Sequence, residues 1–182
     1  MAHIADIASW LIAGTLPVLL VFAAVSDIRS LQIPNSIPIA ITGLFALGAL
    51  SAGLDVWSFG QHYAIGLGVL VAGAGLFAMN VMGGGDVKLL AAASIWFEWT
   101  DLFGLLLMTA IFGGVLALLV LVMRRFRGAA PFATALPWMA ERGDDGSSSV
   151  AIPYGVAISA AAIYLFPRSP LVPASWAAAF GG

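Results

Sequence analysis

The sequence predicts an all-α, polytopic membrane protein with about six transmembrane helices and with both termini outside. Of its 182 residues, 62% are hydrophobic and only 9% are charged, whereas soluble domains carry about a quarter charged residues. Each crossing of the bilayer takes roughly 20 apolar residues. A chain of this length therefore has room for about six spans and for no separate soluble catalytic domain.

The charged residues divide the chain into six apolar runs, each of which we interpret as a transmembrane helix. A charge at the bilayer centre costs about 2.5 to 3.5 kcal/mol on insertion scales, so charges are expected at the ends of spans. The predicted spans are 7–26, 35–53, 60–82, 87–99, 102–123 and 150–166. The fourth is the shortest, and it requires Lys88 near its start to extend toward the interface.

The basic residues predict the orientation of the chain. With six spans, six of the seven basic residues fall on one side, and Arg168 is alone on the other. The six are Arg29, Lys88, Arg124, Arg125, Arg127 and Arg142. Because basic loops stay in the cytoplasm, that side is predicted to be cytoplasmic. The longest connection, 124–149, is polar and contains prolines, which predicts a mobile cytoplasmic loop.

Composition also excludes several classes of function. A net charge of −2 is too small for a nucleic-acid-binding surface. The absence of cysteine excludes disulfides, thiolate metal sites and cysteine nucleophiles. His3 and His62 fall on the outer side, so no Ser–His arrangement is available at the cytoplasmic face. We expect no metal and no cofactor.

Two acidic residues lie at the predicted cytoplasmic boundary, Asp27 at the end of the first helix and Asp86 between the third and fourth. An acidic group at membrane depth is costly and marks a candidate functional site. Two carboxyl groups within a few ångströms cannot both ionise, so the pair supplies an acid and a base together. Such a pair is able to hydrolyse an amide with an activated water and without a metal.

Several neighbours are candidates for supporting this pair. Gly83, Gly84 and Gly85 precede Asp86 and would let a substrate backbone approach the acid, although such glycines taken alone are more often a plain flexible turn. Lys88 has three interpretations, which are stabilising ionised Asp86, contacting substrate, or reaching the interface.

The corner after Asp27 is predicted to be rigid. Pro34 prevents the first helix from continuing, and Asn35 is predicted to cap the second helix. This corner would fix the direction in which Asp27 points, although a purely structural role for it stays open.

Three motifs together resemble the type IV prepilin leader peptidases, a family of GxGD-type membrane aspartic peptidases. The first is an Asp followed by a segment that ends in Ile33-Pro34-Asn35, and the second is Gly83-x-Gly85-Asp86 continuing as Val87-Lys88-Leu89-Leu90. The third is Ile152-Pro153-Tyr154-Gly155-Val156-Ala157. More narrowly, the sequence is similar to the short form associated with Flp (Tad) pili.

The resemblance implies a single transmembrane peptidase domain over residues 1–182, in the bacterial inner membrane. It implies that Asp27 and Asp86 are the catalytic pair and that prepilin leaders are cut on the cytoplasmic side, just before a hydrophobic helix. Expected partners are prepilins and membrane lipid, with no nucleic acid. Longer relatives carry a cysteine-containing region linked with N-methylation, so methyltransferase activity is not expected here. Pro153, Tyr154 and Gly155 are assigned to packing and a kink, with substrate contact left open.

Two alternatives remain from the sequence. A small transporter or channel subunit would use the two aspartates as a cation or proton path. A catalytically silent partner in a pilus or secretion assembly would retain the same fold without needing either acid.

Overall fold

The computed structural model describes residues 2–125 and 152–173, and the described part is helical. Its elements are α1 (Ala2–Ser30), α2 (Ser36–Ser51), α3 (Val56–Ala78), α4 (Gly84–Ser94), α5 (Trp99–Arg125) and α6 (Tyr154–Leu165), followed by a 3-10 turn, Phe166–Arg168. No strand occurs in these two stretches, which confirms the all-α prediction. The predicted mobile loop, 124–149, lies outside the described residues apart from its first two positions.

Three helices are long and apolar enough to cross a membrane, namely Trp10–Ser30, Val56–Ala78 and Trp99–Met123. The helix α2 is apolar but shorter, and α4 and α6 have only 11 and 12 residues. Length and composition therefore support three of the six predicted spans by themselves.

Several predicted boundaries are wrong. Trp99 begins α5 instead of ending the fourth span, because the chain turns after Ser94. The helix α3 stops at Ala78, four positions before the predicted end, and Asn80 then takes a left-handed φ of 56°. Charges report where the chain leaves an apolar environment, whereas helix ends are set by local turns of this kind.

The two short helices form the centre of the fold. The helix α4 packs against α2, α3 and α6, and α6 packs against α1, α4 and α5. All residues of α4 from Leu89 to Ser94 are buried. The long helices, in contrast, expose large apolar side chains such as Leu11, Phe22, Phe103 and Leu118. An apolar outer surface around a buried centre suits a lipid environment.

Glycines allow the helices to approach closely. A Cβ added at Gly73 of α3 would lie 2.6 Å from Val87 Cγ1 of α4. On α5, a Cβ at Gly113 would lie 2.5 Å from the Tyr154 ring, so this glycine makes the space that Tyr154 fills. Such small residues at helix contacts are typical of membrane bundles.

The end of the bundle away from the α4 amino terminus is closed by aromatic and polar contacts. Trp96 Nε1 donates a 3.2 Å hydrogen bond to the Ile41 carbonyl, and His62 Nδ1 lies 2.8 Å from the Ile95 carbonyl. Arg168 and Asp101 form an ion pair of 3.6 Å between the 3-10 turn after α6 and the start of α5. His62 of α3 is therefore a buried packing residue. Its partner Ile95 directly follows α4 and is nine positions after Asp86, about 13 Å at helical rise.

Candidate active site

The sequence predicted that Asp27 ends the first helix, whereas it lies within the last turn of α1. The helix continues to Ser30, and Leu31 then adopts a left-handed φ of 53° that ends it. The corner is held by a 2.7 Å hydrogen bond from Ser26 Oγ to the Gln32 carbonyl. Asp27 is only 4% exposed, so its carboxyl group faces the protein interior.

Ile33 follows this corner and joins three segments at the site. Its side chain is buried, and its Cβ is 3.4 Å from the position that a Cβ at Gly85 would occupy. A Cβ at Gly155 would lie 2.7 Å from Ile33 Cδ1. The sequence analysis did not single out Ile33 as a site residue. The available signal was its place directly before Pro34 in the Ile33-Pro34-Asn35 motif.

Asp86 lies in the first turn of α4, where Gly83 precedes the helix in an extended conformation. A Cβ at Gly83 would lie 2.8 Å from Asp86 Oδ2, so the absent side chain makes room for the carboxyl group. Asp86 is half-buried and lies outside the three candidate spans. Burial raises the pKa of Asp86 to about 7, and the negative charge of nearby Asp27 contributes to the same shift.

The amino end of α6 completes the site. The Gly155 backbone N–H donates a 2.6 Å hydrogen bond to Asp27 Oδ2, and the Val156 N–H also bonds to Asp27. The Gly155 N–H is within bonding reach of Asp86 as well. Three distant segments therefore meet here, and the two acids predicted to form a pair lie beside one another.

The three glycines before Asp86 have different surroundings. A Cβ at Gly84 would meet the Phe77 ring at 3.3 Å, and one at Gly85 would meet Ile33. Only Gly83 borders the Asp86 carboxyl group. Two of the three therefore serve close packing, and one leaves space at the acid.

Lys88 and Asn35 bond to each other, away from the acid pair. Lys88 Nζ donates a 2.9 Å hydrogen bond to Asn35 Oδ1. Asn35 makes no side-chain cap to α2 and has helical backbone angles, so the predicted capping role is wrong. Its amide oxygen is instead engaged by the ammonium group. Pro34 is exposed, and its carbonyl accepts a 3.0 Å hydrogen bond from the Ile37 N–H.

An apolar groove of about 540 Å³ lies between α2, α3 and α4. On α4 it is lined by Lys88, Ala91, Ala92 and Ile95, which occupy one face of the helix at spacings of three and four. Asp86 is two positions from Lys88, and such neighbours point in different directions on a helix. The groove and the acid pair therefore lie on different faces of α4.

Pro153 and Tyr154 of the third motif lie at the start of α6, next to α5. Pro153 is buried and directly precedes α6, and the Tyr154 ring packs against Gly113. Within the described ranges, His, Asp and Glu form no group of three or more able to hold a metal ion.

In the described residues, three helices are long and apolar enough to cross a membrane, and Asp27 and Asp86 adjoin at one end of the bundle. The sequence profile of the type IV leader peptidase family matches residues 14–118, more than half of the chain. The protein belongs to this family, as the resemblance predicted, and is a peptidase of that kind. The match includes Asp27 and Asp86, whereas Pro153, Tyr154 and Gly155 lie beyond it. No significant match was found among curated proteins or solved structures.

Proposed function

We propose that this protein is an aspartic endopeptidase that removes the leader peptide from Flp-like type IV prepilins, with Asp27 and Asp86 as its catalytic pair. Family membership supports the peptidase class. The observation that carries the catalytic assignment is the meeting of both carboxyl groups at the Gly155 N–H. Paired carboxyl groups in a partly desolvated site are suited to acid–base catalysis.

The proposed reaction needs one proton on the pair. The ionised carboxylate removes a proton from a water whose oxygen attacks the scissile carbonyl carbon. The protonated carboxyl group gives its proton to the leaving nitrogen as the C–N bond breaks. The leader then ends in a new carboxylate, and the pilin begins with a new amine.

The site lies at one end of the bundle, which supports cleavage at a membrane boundary. Asp27 is in the last turn of α1, and Asp86 is in the first turn of α4. Arg29 and Arg125 lie at helix ends that the same topology places at this end. By the positive-inside rule, we propose that this end faces the cytoplasm of the bacterial inner membrane and that both termini face outward.

Substrate binding is proposed to depend mainly on the hydrophobic helix that follows the leader. The long helices expose extensive apolar surface, and small residues such as Gly14, Gly43 and Gly68 leave open space on it. A second apolar helix is able to pack closely on such a surface. The leader would remain in water near the acid pair.

The transporter alternative is less well supported by the same geometry. An ion path across the bilayer requires acidic groups along the middle of the spans, whereas these two acids adjoin at helix ends. A silent assembly partner would not require two buried carboxyl groups to face one another, because leaving such groups in place is costly.

The test uses the full chain in lipid vesicles, incubated in H₂¹⁸O with a purified prepilin that retains its leader. We expect two products by mass spectrometry, with a single ¹⁸O atom in the carboxylate of the released leader. Vesicles without the chain provide the control. Intact prepilin after incubation with helical, correctly inserted protein would reject the proposal, and proton flux without cleavage would favour the transporter.

A further inference from the structure

We infer that Gly155 is a positioning residue that keeps Asp27 ionised, so that Asp27 acts as the base and Asp86 as the acid. This division of roles rests on the proposed function. Nothing in the two carboxyl groups themselves distinguishes them, because both are aspartates. The distinction comes from what the amino end of α6 donates.

Asp27 is the carboxyl group that accepts the short backbone hydrogen bond from Gly155. Its Oδ2 accepts the 2.6 Å hydrogen bond from Gly155, and the Val156 N–H bonds to the same side chain. Both donors belong to the first turn of α6. N–H groups in a first turn lack the usual partner one turn earlier in the helix, although the Val156 N–H also donates a 3.2 Å hydrogen bond to the Pro153 carbonyl. Hydrogen bonds to a carboxylate from such donors favour its charged form, and the helix dipole acts in the same direction.

Gly155 permits this contact by lacking a side chain. A Cβ at this position would lie 2.8 Å from Asp27 Oδ2 and 3.2 Å from Asp27 Cγ. It would also meet Ile33 Cδ1 at 2.7 Å. The backbone at Gly155 is not in the left-handed region, so the requirement is for space and not for conformation. Any side chain would push Asp27 away from its donor.

Asp86 is the better placed of the two to hold the proton. Two backbone donors also lie near Asp86, those of Gly83 and Gly155, but its burial and the negative charge of Asp27 outweigh them and favour its neutral form. No cation among the described residues offsets this. Lys88 is bonded to Asn35 on another face of α4, and Arg29 is exposed two positions beyond Asp27.

The roles define the direction of proton transfer. Asp27 takes the proton from the attacking water, and Asp86 gives its proton to the leaving nitrogen. The reaction leaves Asp27 protonated and Asp86 ionised. The proton must therefore return from Asp27 to Asp86 before the next cycle, which their adjacency permits.

The experiment follows the infrared C=O band of protonated carboxyl groups during a pH titration of the full chain in vesicles. In Asp86→Asn the remaining site acid is Asp27, and in Asp27→Asn it is Asp86. We expect the protonation midpoint to be lower in Asp86→Asn than in Asp27→Asn. The reverse order, or equal midpoints, would overturn the assignment.

A second pair of variants tests the role of Gly155 itself. Adding Gly155→Ala to Asp86→Asn is expected to raise the Asp27 midpoint by about one pH unit, a tenfold change in proton affinity. Adding Gly104→Ala is the matched control. Gly104 lies in α5, and its added Cβ would make only ordinary contact, at 3.6 Å, with Leu165 of α6, the helix that also contains Gly155. An unchanged midpoint with Gly155→Ala would overturn the positioning role.

This readout does not require activity. Normal leader cleavage combined with reversed midpoints would defeat the division of roles alone. Absence of cleavage combined with the expected midpoints would defeat the proposed function and leave the charge assignment standing.

Discussion

The Gly155 backbone N–H and the Asp27 carboxylate are joined by a 2.6 Å hydrogen bond although 128 positions separate them in the chain. This contact brings α6 onto the last turn of α1. It also places both beside Asp86 at the start of α4. The central helices α4 and α6 are therefore the elements that assemble the candidate site, while the longer helices surround them.

The shifted pKa of Asp86 predicts a loss of cleavage in alkaline solution. Its pKa is raised to about 7, so the proton needed by the leaving nitrogen is present below that pH and is lost above it. Cleavage by vesicles with equal pH on both sides should fall about tenfold per unit well above pH 7. A rate that stays constant to pH 9 would show that Asp86 does not supply the proton.

Lys88 is predicted not to control this alkaline limb. Its ammonium group bonds to Asn35 and lies on a different face of α4 from Asp86. Lys88→Gln should therefore leave the midpoint of the limb unchanged within about 0.3 units, even if substrate affinity changes. If Lys88 stabilised ionised Asp86, its removal would raise the midpoint, and that rise in the pH–rate profile would contradict the structure.

Close packing of α3 on α4 predicts a stability difference between two neighbouring glycines. Gly73→Val would place side-chain atoms against Val87 Cγ1, already 2.6 Å from an added Cβ. Overpacking of this kind costs about 1 to 3 kcal/mol. Gly75→Val is the matched control, since nothing lies within 4 Å of its Cβ position. Unfolding in mixed micelles should separate the two variants, and equal free energies of unfolding would contradict this packing.

Much of the fold was predictable because the free energy of inserting each residue into lipid depends mainly on that residue's own side chain. Charges are costly in lipid, so their positions separated the apolar runs that form helices. The actual ends of α3 and α4 were not predictable in the same way. They depend on Asn80 in a left-handed conformation and on the turn after Ser94, features that hydrophobicity does not encode.

The sequence predicted the site residues whose charge is energetically costly at a membrane boundary, but it did not predict the roles of residues that act through backbone contacts or shape. Asp27 and Asp86 were recognisable because an acidic group at a membrane boundary is energetically costly and therefore marks a candidate functional site. The motifs contained Gly155 and Ile33 but did not reveal their roles, because Gly155 acts through a long-range backbone bond and Ile33 contributes only shape. Asn35 was misassigned as a cap because its partner, Lys88, is 53 positions away.

The most direct measurement is the rate of leader cleavage by Asp27→Asn and by Asp86→Asn, each tested alone in lipid vesicles. Each variant should lose about 10²- to 10⁴-fold in rate, because either change leaves the pair without its acid or its base. Asp101→Asn, which removes the ion pair with Arg168 away from the site, should cleave within about twofold of the unaltered chain. Near-normal cleavage by either of the first two variants, at equal expression and helicity, would contradict the paired-carboxyl mechanism.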